Sequence, residues 1–450
     1  MTQKFGTSVL SHPEPMESTG FQVIQVPRLS VNSVMTAYIG SSLVEYAEPD
    51  YRISLEPSQT EIKIITQAEG SSPSMTPDDP EFEKLWGLHN TGQSPFNGKL
   101  GADISAEEAW KYSTGSSEIV VAVLDSGVDY THPDLAENIW TNPGEIPDNG
   151  IDDDGNGFID DVHGWNFQGN NNSVMDDNGH GTHCAGIIGA IGDNHIGVTG
   201  VNWKVRIMPL KFMDNSGNGY ISDAVSAILY ANRMGADVIS CSWSGTQYSN
   251  ALEDAISASP SIVVCAAGNG GSDDDSTPIY PATNDCPNII TVAATDASDN
   301  LASFSNYGVK SVDIAAPGVE IASTYPGNQY AYMSGTSMAT PYVSGVAALL
   351  KSINPTLTNI QMRSILLTSS DILSSLDGKV SSLGRLNAYK TISQVSGSTN
   401  VQQSIPTPTP TSIPVQTIPI LSQSSPYPRE IYSLLPPGGQ QPSNPQALNR

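Results

Sequence analysis

Three residues of this chain, in the order Asp125, His180, Ser337, have the types that acyl transfer needs. A serine hydroxyl is a weak nucleophile at neutral pH and needs a base to take its proton as it attacks a carbonyl. An imidazole, with a reference pKa of about 6.5, is largely neutral at pH 7 and can be that base. A carboxylate behind it holds the tautomer and balances the imidazolium that forms. Each residue also has an ordinary reading. Ser337 can be a helix N-cap, Asp125 a turn residue and His180 a helix-start residue. Their neighbours weigh against three coincidences. Asp125 ends the apolar run Val121-Ala122-Val123-Leu124 and is followed by Ser126-Gly127-Val128. His180 lies between glycines in Asn178-Gly179-His180-Gly181-Thr182-His183-Cys184. Ser337 lies in Gly335-Thr336-Ser337-Met338-Ala339-Thr340-Pro341, ahead of a stripe of Val343, Val346, Ala347 and Leu350 at helical spacing. Cys184, four residues after His180, falls on the same face of a helix that starts there.

Positioning these groups requires a rigid frame, and the apolar runs supply one. Ile119–Leu124, Val205–Met213, Val238–Cys241, Ile262–Ala267, Ile289–Ala293 and Val312–Ala315 are continuous apolar stretches, as expected of strands buried on both faces. Between them runs a helical pattern with Ala224, Val225, Ile228 and Leu229, which Ser222 is expected to cap and Gly235 to end. Alternating strands and helices predict an α/β fold around a mainly parallel sheet with helices on both faces. Sites in such sheets gather beyond the carboxyl ends of strands. Asp125 and Asn269 both fall there.

The stretches DSGVDYTHPDL, NGHGTHCAG and SGTSMATP resemble the motifs of the subtilase family over about residues 76–396, and HGTHCAG is most similar to its thermitase and proteinase K branch. The resemblance implies a three-layer subtilisin-like fold and peptide-bond hydrolysis. It makes Asn269 the side-chain donor to the oxyanion, with the Ser337 backbone N–H as the second. It makes His183 structural. It also implies that an extended polypeptide substrate pairs with Gly217-Asn218-Gly219 and Ser242-Trp243-Ser244-Gly245. The pocket for the side chain before the scissile bond would be walled by Ser242–Gly245 and by Ala266, Ala267 and Gly268, with Ile279 on its floor. No acid stands among those residues, so an apolar pocket preferring Leu or Met is expected. Tyr342 departs from the family, which commonly has histidine there, and altered packing is expected.

Acidic residues outnumber basic ones 46 to 19, for a net charge of −27, which argues against a nucleic-acid partner. Asp152, Asp154, Asn156 and the Phe158 carbonyl alternate around glycines like the first half of an EF-hand loop, with Asp160 or Asp161 to close it. His163 stands where a complete EF-hand has glutamate. A calcium ion is expected in this loop. The family resemblance implies a second calcium site from the Asp79, Asp134 and Asn194 side chains and the Ile191, Ile196 and Val198 carbonyls.

No apolar run is long enough to span a bilayer, and the first residues carry no apolar signal core, so an extracellular location is expected from the resemblance alone. The four cysteines, Cys184, Cys241, Cys265 and Cys286, do not make a disulfide framework in a chain of 450 residues. Buried free thiols are expected, with a bridge left open. Residues 1–75 read as a short propeptide segment and linker. Phe21–Val26, Ala37-Tyr38-Ile39 and Leu43–Tyr46 are β-like runs, and Val44–Tyr51 resembles the last strand of a subtilase inhibitory propeptide. Residues 57–75 read as a linker and cleavage region. Residues 397–450 hold 11 of the 32 prolines and read as a disordered tail. The expected function is a calcium-stabilised serine endopeptidase acting as a monomer on polypeptides, its own propeptide included. The alternatives are a transpeptidase or macrocyclase of the same fold, or a non-catalytic calcium-dependent binding protein.

Overall fold

Val121, Ala122, Val123 and Leu124 are all buried, as an apolar run must be when both faces of its strand are covered. In the computed structural model, which describes residues 8–9, 21–26, 31–41, 44–65, 77–396 and 429–433, this run belongs to a nine-stranded sheet. Its strands are β1 (Gly115–Asp125), β2 (Trp165–Asn166), β3 (Lys204–Lys211), β4 (Val238–Cys241), β5 (Ile262–Ala266), β6 (Ile289–Thr295), β7 (Ile314–Pro317), β8 (Asp371–Ile372) and β9 (Gly384–Arg385). Across the sheet they run β8-β9-β7-β6-β5-β4-β1-β3-β2. Every pairing is parallel except that of the edge pieces β8 and β9. The order doubles back at β1, which lies between β3 and β4 although it comes first in the chain. That reversal opens a crevice beyond the carboxyl ends of the strands.

Three helices matter for the site: α1 (His180–Gly189), α2 (Ile221–Arg233) and α3 (Thr336–Ile353). Val343, Val346, Ala347 and Leu350 of α3 are buried in one core cluster with Cys184, Ala185 and Ile188 of α1 and with Val121 and Val123 of β1. Packing of this stripe, rather than propensity, stabilises α3, which carries Pro341 within its first turns. The α2 helix packs on the sheet outside that cluster, as a three-layer arrangement requires. It starts two residues earlier than the sequence suggests: Tyr220 holds the N-cap position and Ser222 is buried inside the first turn. Gly235, at φ +77°, follows its end in the left-handed region that glycine tolerates. All four cysteines are buried and free, so the bridge left open is not formed.

The chain divides into two compact units, Arg52–Ile405 and Met1–Tyr51 with Pro406–Arg450. The second contains the strands Ser8–Val9, Phe21–Gln25, Ala47–Pro49 and Arg429–Ser433, joined in one sheet, and a helix, Val31–Ile39. That helix corrects the β-like reading of Ala37–Ile39. Val31, Val34 and Tyr38 recur at helical spacing and bury one face against Ile24, Val26 and Ala47. Of the tail expected to be disordered, Arg429–Ser433 pairs with Phe21–Gln25 and Ala47–Pro49, and the remainder lies outside the described residues.

Candidate active site

Asp125 is the last residue of β1, His180 the first of α1 and Ser337 the second of α3. Asn269 follows the end of β5 by three residues. The crevice at the sheet's reversal point brings the first pair into contact. His180 Nδ1 lies 2.8 and 3.0 Å from the two carboxylate oxygens of Asp125, both residues being buried. A carboxylate only accepts, so the ring carries its Nδ1 proton toward Asp125 and turns Nε2 the other way. That Nε2 is buried and has no hydrogen-bond partner. Burial opposes charge on this ring, but the Asp125 carboxylate outweighs it and holds the imidazole well above its ordinary pKa.

The loop around Asp125 explains the glycines of the motifs. A Cβ on Gly181 would stand 2.1 Å from the Gly127 carbonyl oxygen and 3.1 Å from the Asp125 side chain. Only glycine lets α1 approach β1 this closely. Asp176 fastens the same junction: its Oδ1 accepts from the Gly179 N–H and the Ser126 hydroxyl, and its Oδ2 from the Thr182 N–H and hydroxyl. These bonds satisfy donors at the start of α1 and fix the direction of His180. Sequence reasoning missed Asp176, because a lone aspartate ahead of a glycine-rich helix start has no distinctive pattern. His183 is held differently. Its Nε2 reaches the Ile321 and Ala331 carbonyls, both at 3.0 Å, and burial lowers its pKa to about 3, so it stays neutral. It ties α1 to the hairpin Ile321–Tyr325/Gln329–Met333.

The Ser337 hydroxyl donates to the Ser242 carbonyl at 2.9 Å, and the Ser242 hydroxyl donates to the Ser337 carbonyl at 3.0 Å. Asn269 Oδ1 accepts from the Thr336 N–H at 2.8 Å and from its hydroxyl at 3.0 Å. The carboxamide is thereby oriented with its Nδ2 donor turned away from Thr336. Thr336 was not singled out from sequence, although it lies inside the motif. Cys184 sits behind these groups, its Sγ 3.4 Å from the Ser337 carbonyl oxygen and 3.9 Å from His180 Nδ1. Tyr342 is buried with its ring against Gly87: a Cβ there would stand 2.3 Å from the Tyr342 hydroxyl oxygen.

The predicted substrate edges carry a strand already. Arg52, Ile53 and Ser54 pair antiparallel with Tyr220, Gly219 and Asn218, and the Leu55 N–H donates to the Gly217 carbonyl at 2.6 Å. Glu56 comes next, and its Oε2 accepts from the Asn269 N–H at 2.6 Å while its Oε1 lies 3.4 Å from the Ser244 hydroxyl. Ser58 and Gln59 then bond to both sides of the Ser334 backbone, and Lys63–Ile64 joins the hairpin strand Gln329–Met333. Residues 57–65, expected to be linker, are thus bound along this surface. Trp243 is buried against Phe212. Gly245 does not offer its amide to an extended chain as expected; its N–H and carbonyl pair with Tyr280 at 2.7 and 2.8 Å.

Gly268 lies beside Ile279: a Cβ on Gly268 would meet Ile279 Cδ1 at 2.5 Å. The named walls hold no acid, but one lies beyond them, next to Asn306. Asp274 is buried near Glu56, with Oδ1 bonded to Asn306 and Oδ2 without a partner. Burial, with the nearby Asp273, Asp275 and Glu56 carboxylates, pushes its pKa up to about 8. The native state therefore keeps a proton that the unfolded chain, with an ordinary value near ~3.9, has released. Stability from this residue falls as pH rises through that window. Asp274→Asn should remove the slope, so its Tm should gain at least about 2 °C on wild type between pH 5 and pH 9. A constant Tm difference across that range would contradict this.

Two acidic clusters accompany the site. In the first, Glu145, Asp152 and Asp154 bring ligand oxygens within 4.8 Å of one another. Asp161 is bound by Asn142, Asn156 and the Tyr230 hydroxyl, and burial raises its pKa. The Asp160 carboxylate instead accepts from the Asn149 and Gly150 amides. Phe158 is a core residue, edge-on to Trp165 and Tyr230. Glu145 went unnoticed because it lies seven residues outside the repeating pattern. In the second cluster, Asp134 accepts from Asn194 Nδ2 and the Val198 N–H, and the Ile191 N–H donates to the Asp134 carbonyl. The Ile196 N–H donates to Asn194 Oδ1. Asp79 Oδ1 is buried without a partner, and burial pushes both Asp79 and Asp134 up to about 7, the Asp78 carboxylate adding to the rise of Asp79 and the Asp79 carboxylate to that of Asp134.

Comparison with known proteins identifies the family. The subtilase family profile matches residues 116–402. A thermophilic serine proteinase from Bacillus sp. (strain AK1) is 37% identical over 376 residues, spanning 83% of this chain and 78% of that protein. Thermitase from Thermoactinomyces vulgaris is 41% identical over 292 residues, 64% of this chain and 93% of thermitase. A cell wall-associated protease from Bacillus subtilis (strain 168) is 36% identical over 304 residues, 67% of this chain but 31% of that protein. Likeness that runs through nearly the whole of thermitase, with a family profile that spans β1, α1 and α3, has one meaning: the chain belongs to the subtilase family and is a thermitase-like serine endopeptidase.

Proposed function

We propose that Asp125, His180 and Ser337 hydrolyse peptide bonds through an acyl-enzyme, with Asn269 as a donor to the oxyanion. The observation that carries this reading is the buried Asp125–His180 pair, whose Nε2 is left without a partner beside α3. Rotation of the Ser337 hydroxyl from the Ser242 carbonyl toward that nitrogen places its proton for removal. Such bonds commonly tighten only in the substrate complex. His180 takes the proton as Ser337 Oγ attacks, and returns it to the leaving amine. The Asn269 Nδ2 and the Ser337 N–H then meet the oxyanion. Residue Thr336 acts through Asn269 by fixing its carboxamide.

Calcium fits both clusters. The donors are hard oxygens, and mutual repulsion between Asp79 and Asp134, beside an orphaned oxygen, is what a divalent cation relieves. Asp79, Asp134 and Asn194, with the Ile191, Ile196 and Val198 carbonyls, would hold one ion; Asp152 and Asp154, with Glu145, would hold another. When bound, calcium supplies charge neutralisation and stability rather than chemistry. The substrates are polypeptides, and the place of work is extracellular. The test is casein hydrolysis in calcium, with and without a serine-directed covalent inhibitor. Hydrolysis abolished by the inhibitor supports the reading, and hydrolysis that persists sinks it.

A further inference from the structure

Residues 52–65 lie along the site in the manner of a substrate. Ile53 is buried opposite Gly219, with its Cγ1 3.7 Å from where a Gly245 Cβ would be. The Leu55 N–H is bonded to Gly217, and on the far side Ser58 and Gln59 flank Ser334, three residues before Ser337. Between these anchors comes Glu56, and its carboxylate is received by the Asn269 N–H and faces the Ser244 hydroxyl. The side chain in that place belongs to the residue before the bond presented to Ser337, so the presented bond is Glu56–Pro57.

Two features of this chain bear on what the place accepts. An oriented N–H beside a hydroxyl is a receptor for a carboxylate, and hydrogen bonds to a charged acceptor are among the stronger ones. Ser244 stands where an apolar rim would offer nothing to it. Of the acids nearby, the buried Asp274, raised to about 8, is protonated at neutral pH and adds no repulsion toward a glutamate there. Pro57 has the opposite effect. Its ring puts a carbon on the amide nitrogen and removes the N–H. A leaving nitrogen so substituted is crowded where His180 must deliver its proton.

We propose that this endopeptidase cleaves after glutamate, that Ser244 and the Asn269 N–H select the acid, and that Ile53-Ser54-Leu55-Glu56 is its own recognition sequence, kept intact by Pro57. The inference rests on the acyl-transfer reading of Ser337 and His180. In the reaction, Ser337 Oγ bonds to the glutamyl carbonyl carbon, and the C–N bond breaks as the amine leaves with the proton from His180. Water then adds to the acyl carbon, releasing a carboxylic acid and restoring the serine.

The experiment uses the full chain. Pro57→Ser should be cut after Glu56, giving a fragment that begins at residue 57 by mass spectrometry, while wild type stays joined at that bond. Pro57→Ser with Glu56→Lys should be cut there at least about 10-fold more slowly. Pro57→Ser with Ser337→Ala should not be cut at all, which excludes a contaminating protease. With peptides Ile-Ser-Leu-X bearing a fluorogenic amine, X = Glu should exceed Phe and Lys about 10-fold or more in kcat/KM, and Ser244→Gly should narrow that ratio. If casein is hydrolysed in a Ser337-dependent way but Pro57→Ser stays intact at Glu56, or Phe or Lys is preferred to Glu, the specificity proposal is wrong and the acyl-transfer reading stands. If Ser337→Ala leaves casein hydrolysis unchanged, the acyl-transfer reading fails and this inference falls with it.

Discussion

Ser337→Ala should reduce kcat on casein or a peptide substrate by about 10⁶-fold, the scale found when a subtilisin loses its serine, leaving only what binding and the oxyanion donors supply. The loss is that large because the dyad has no other task once its nucleophile is gone: His180 Nε2 would face a methyl group. Asn269→Ala should cost less, about 10²–10³ in kcat, since one of two donors to the oxyanion survives. Substrate affinity should change little in either variant, because neither side chain pairs with the backbone of the strand lying at Gly217–Tyr220. Turnover numbers from active-site-titrated preparations check both. Wild-type kcat in Ser337→Ala would remove this serine from the mechanism. A loss in Asn269→Ala as large as that in Ser337→Ala would mean that the loop, and not one donor, had been damaged. Thr336 offers a way to separate the two, because its hydroxyl orients the carboxamide without reaching the reacting atoms.

Removal of calcium should lower Tm while leaving the dyad in place. A ligand present at about 100 times its Kd adds about 2.7 kcal/mol to the native state. In a domain of this size that amounts to on the order of 5 °C per site. The Ser337→Ala chain is the right material, since it cannot digest itself as it unfolds. Melting in excess chelator should fall below melting in millimolar calcium, and Asp134→Ala should lose part of that difference. The Asp79–Asp134 cluster should contribute most, because two buried carboxylates that repel each other gain most from a cation. Superimposable melting curves with and without chelator would refute calcium stabilisation.

The proposed catalytic residues were legible because each sits in a short glycine-containing motif, and at Gly181 the glycine is demanded by contact with Gly127 and Asp125. The sheet was legible because strands covered on both faces have no polar alternation to hide them. Helix Val31–Ile39 was misread in part because a three-residue apolar run, Ala37–Ile39, suits either period. The bound course of residues 52–65 was invisible for a different reason. Ile53 pairs with Gly219 and Gln59 with Ser334, partners far away in sequence, and a Ser- and Gln-containing stretch reads as linker until those partners are known. Glu145 and Asp176 share that difficulty: each is defined by what converges on it, not by its neighbours in the chain.

The strand that fills the cleft is covalently part of the same molecule, so its competition with substrate is a matter of effective concentration. A tethered segment presents itself to its site at a local concentration in the range of ~mM, whatever the amount of protein in the tube. Diluting the intact chain therefore should not free the cleft, and a weakly binding peptide at micromolar concentration should not displace Ile53–Glu56. One break in the backbone between residue 65 and Asp79 changes the situation completely. The segment then leaves with its own dissociation constant, and the activity of the nicked protein becomes dependent on dilution.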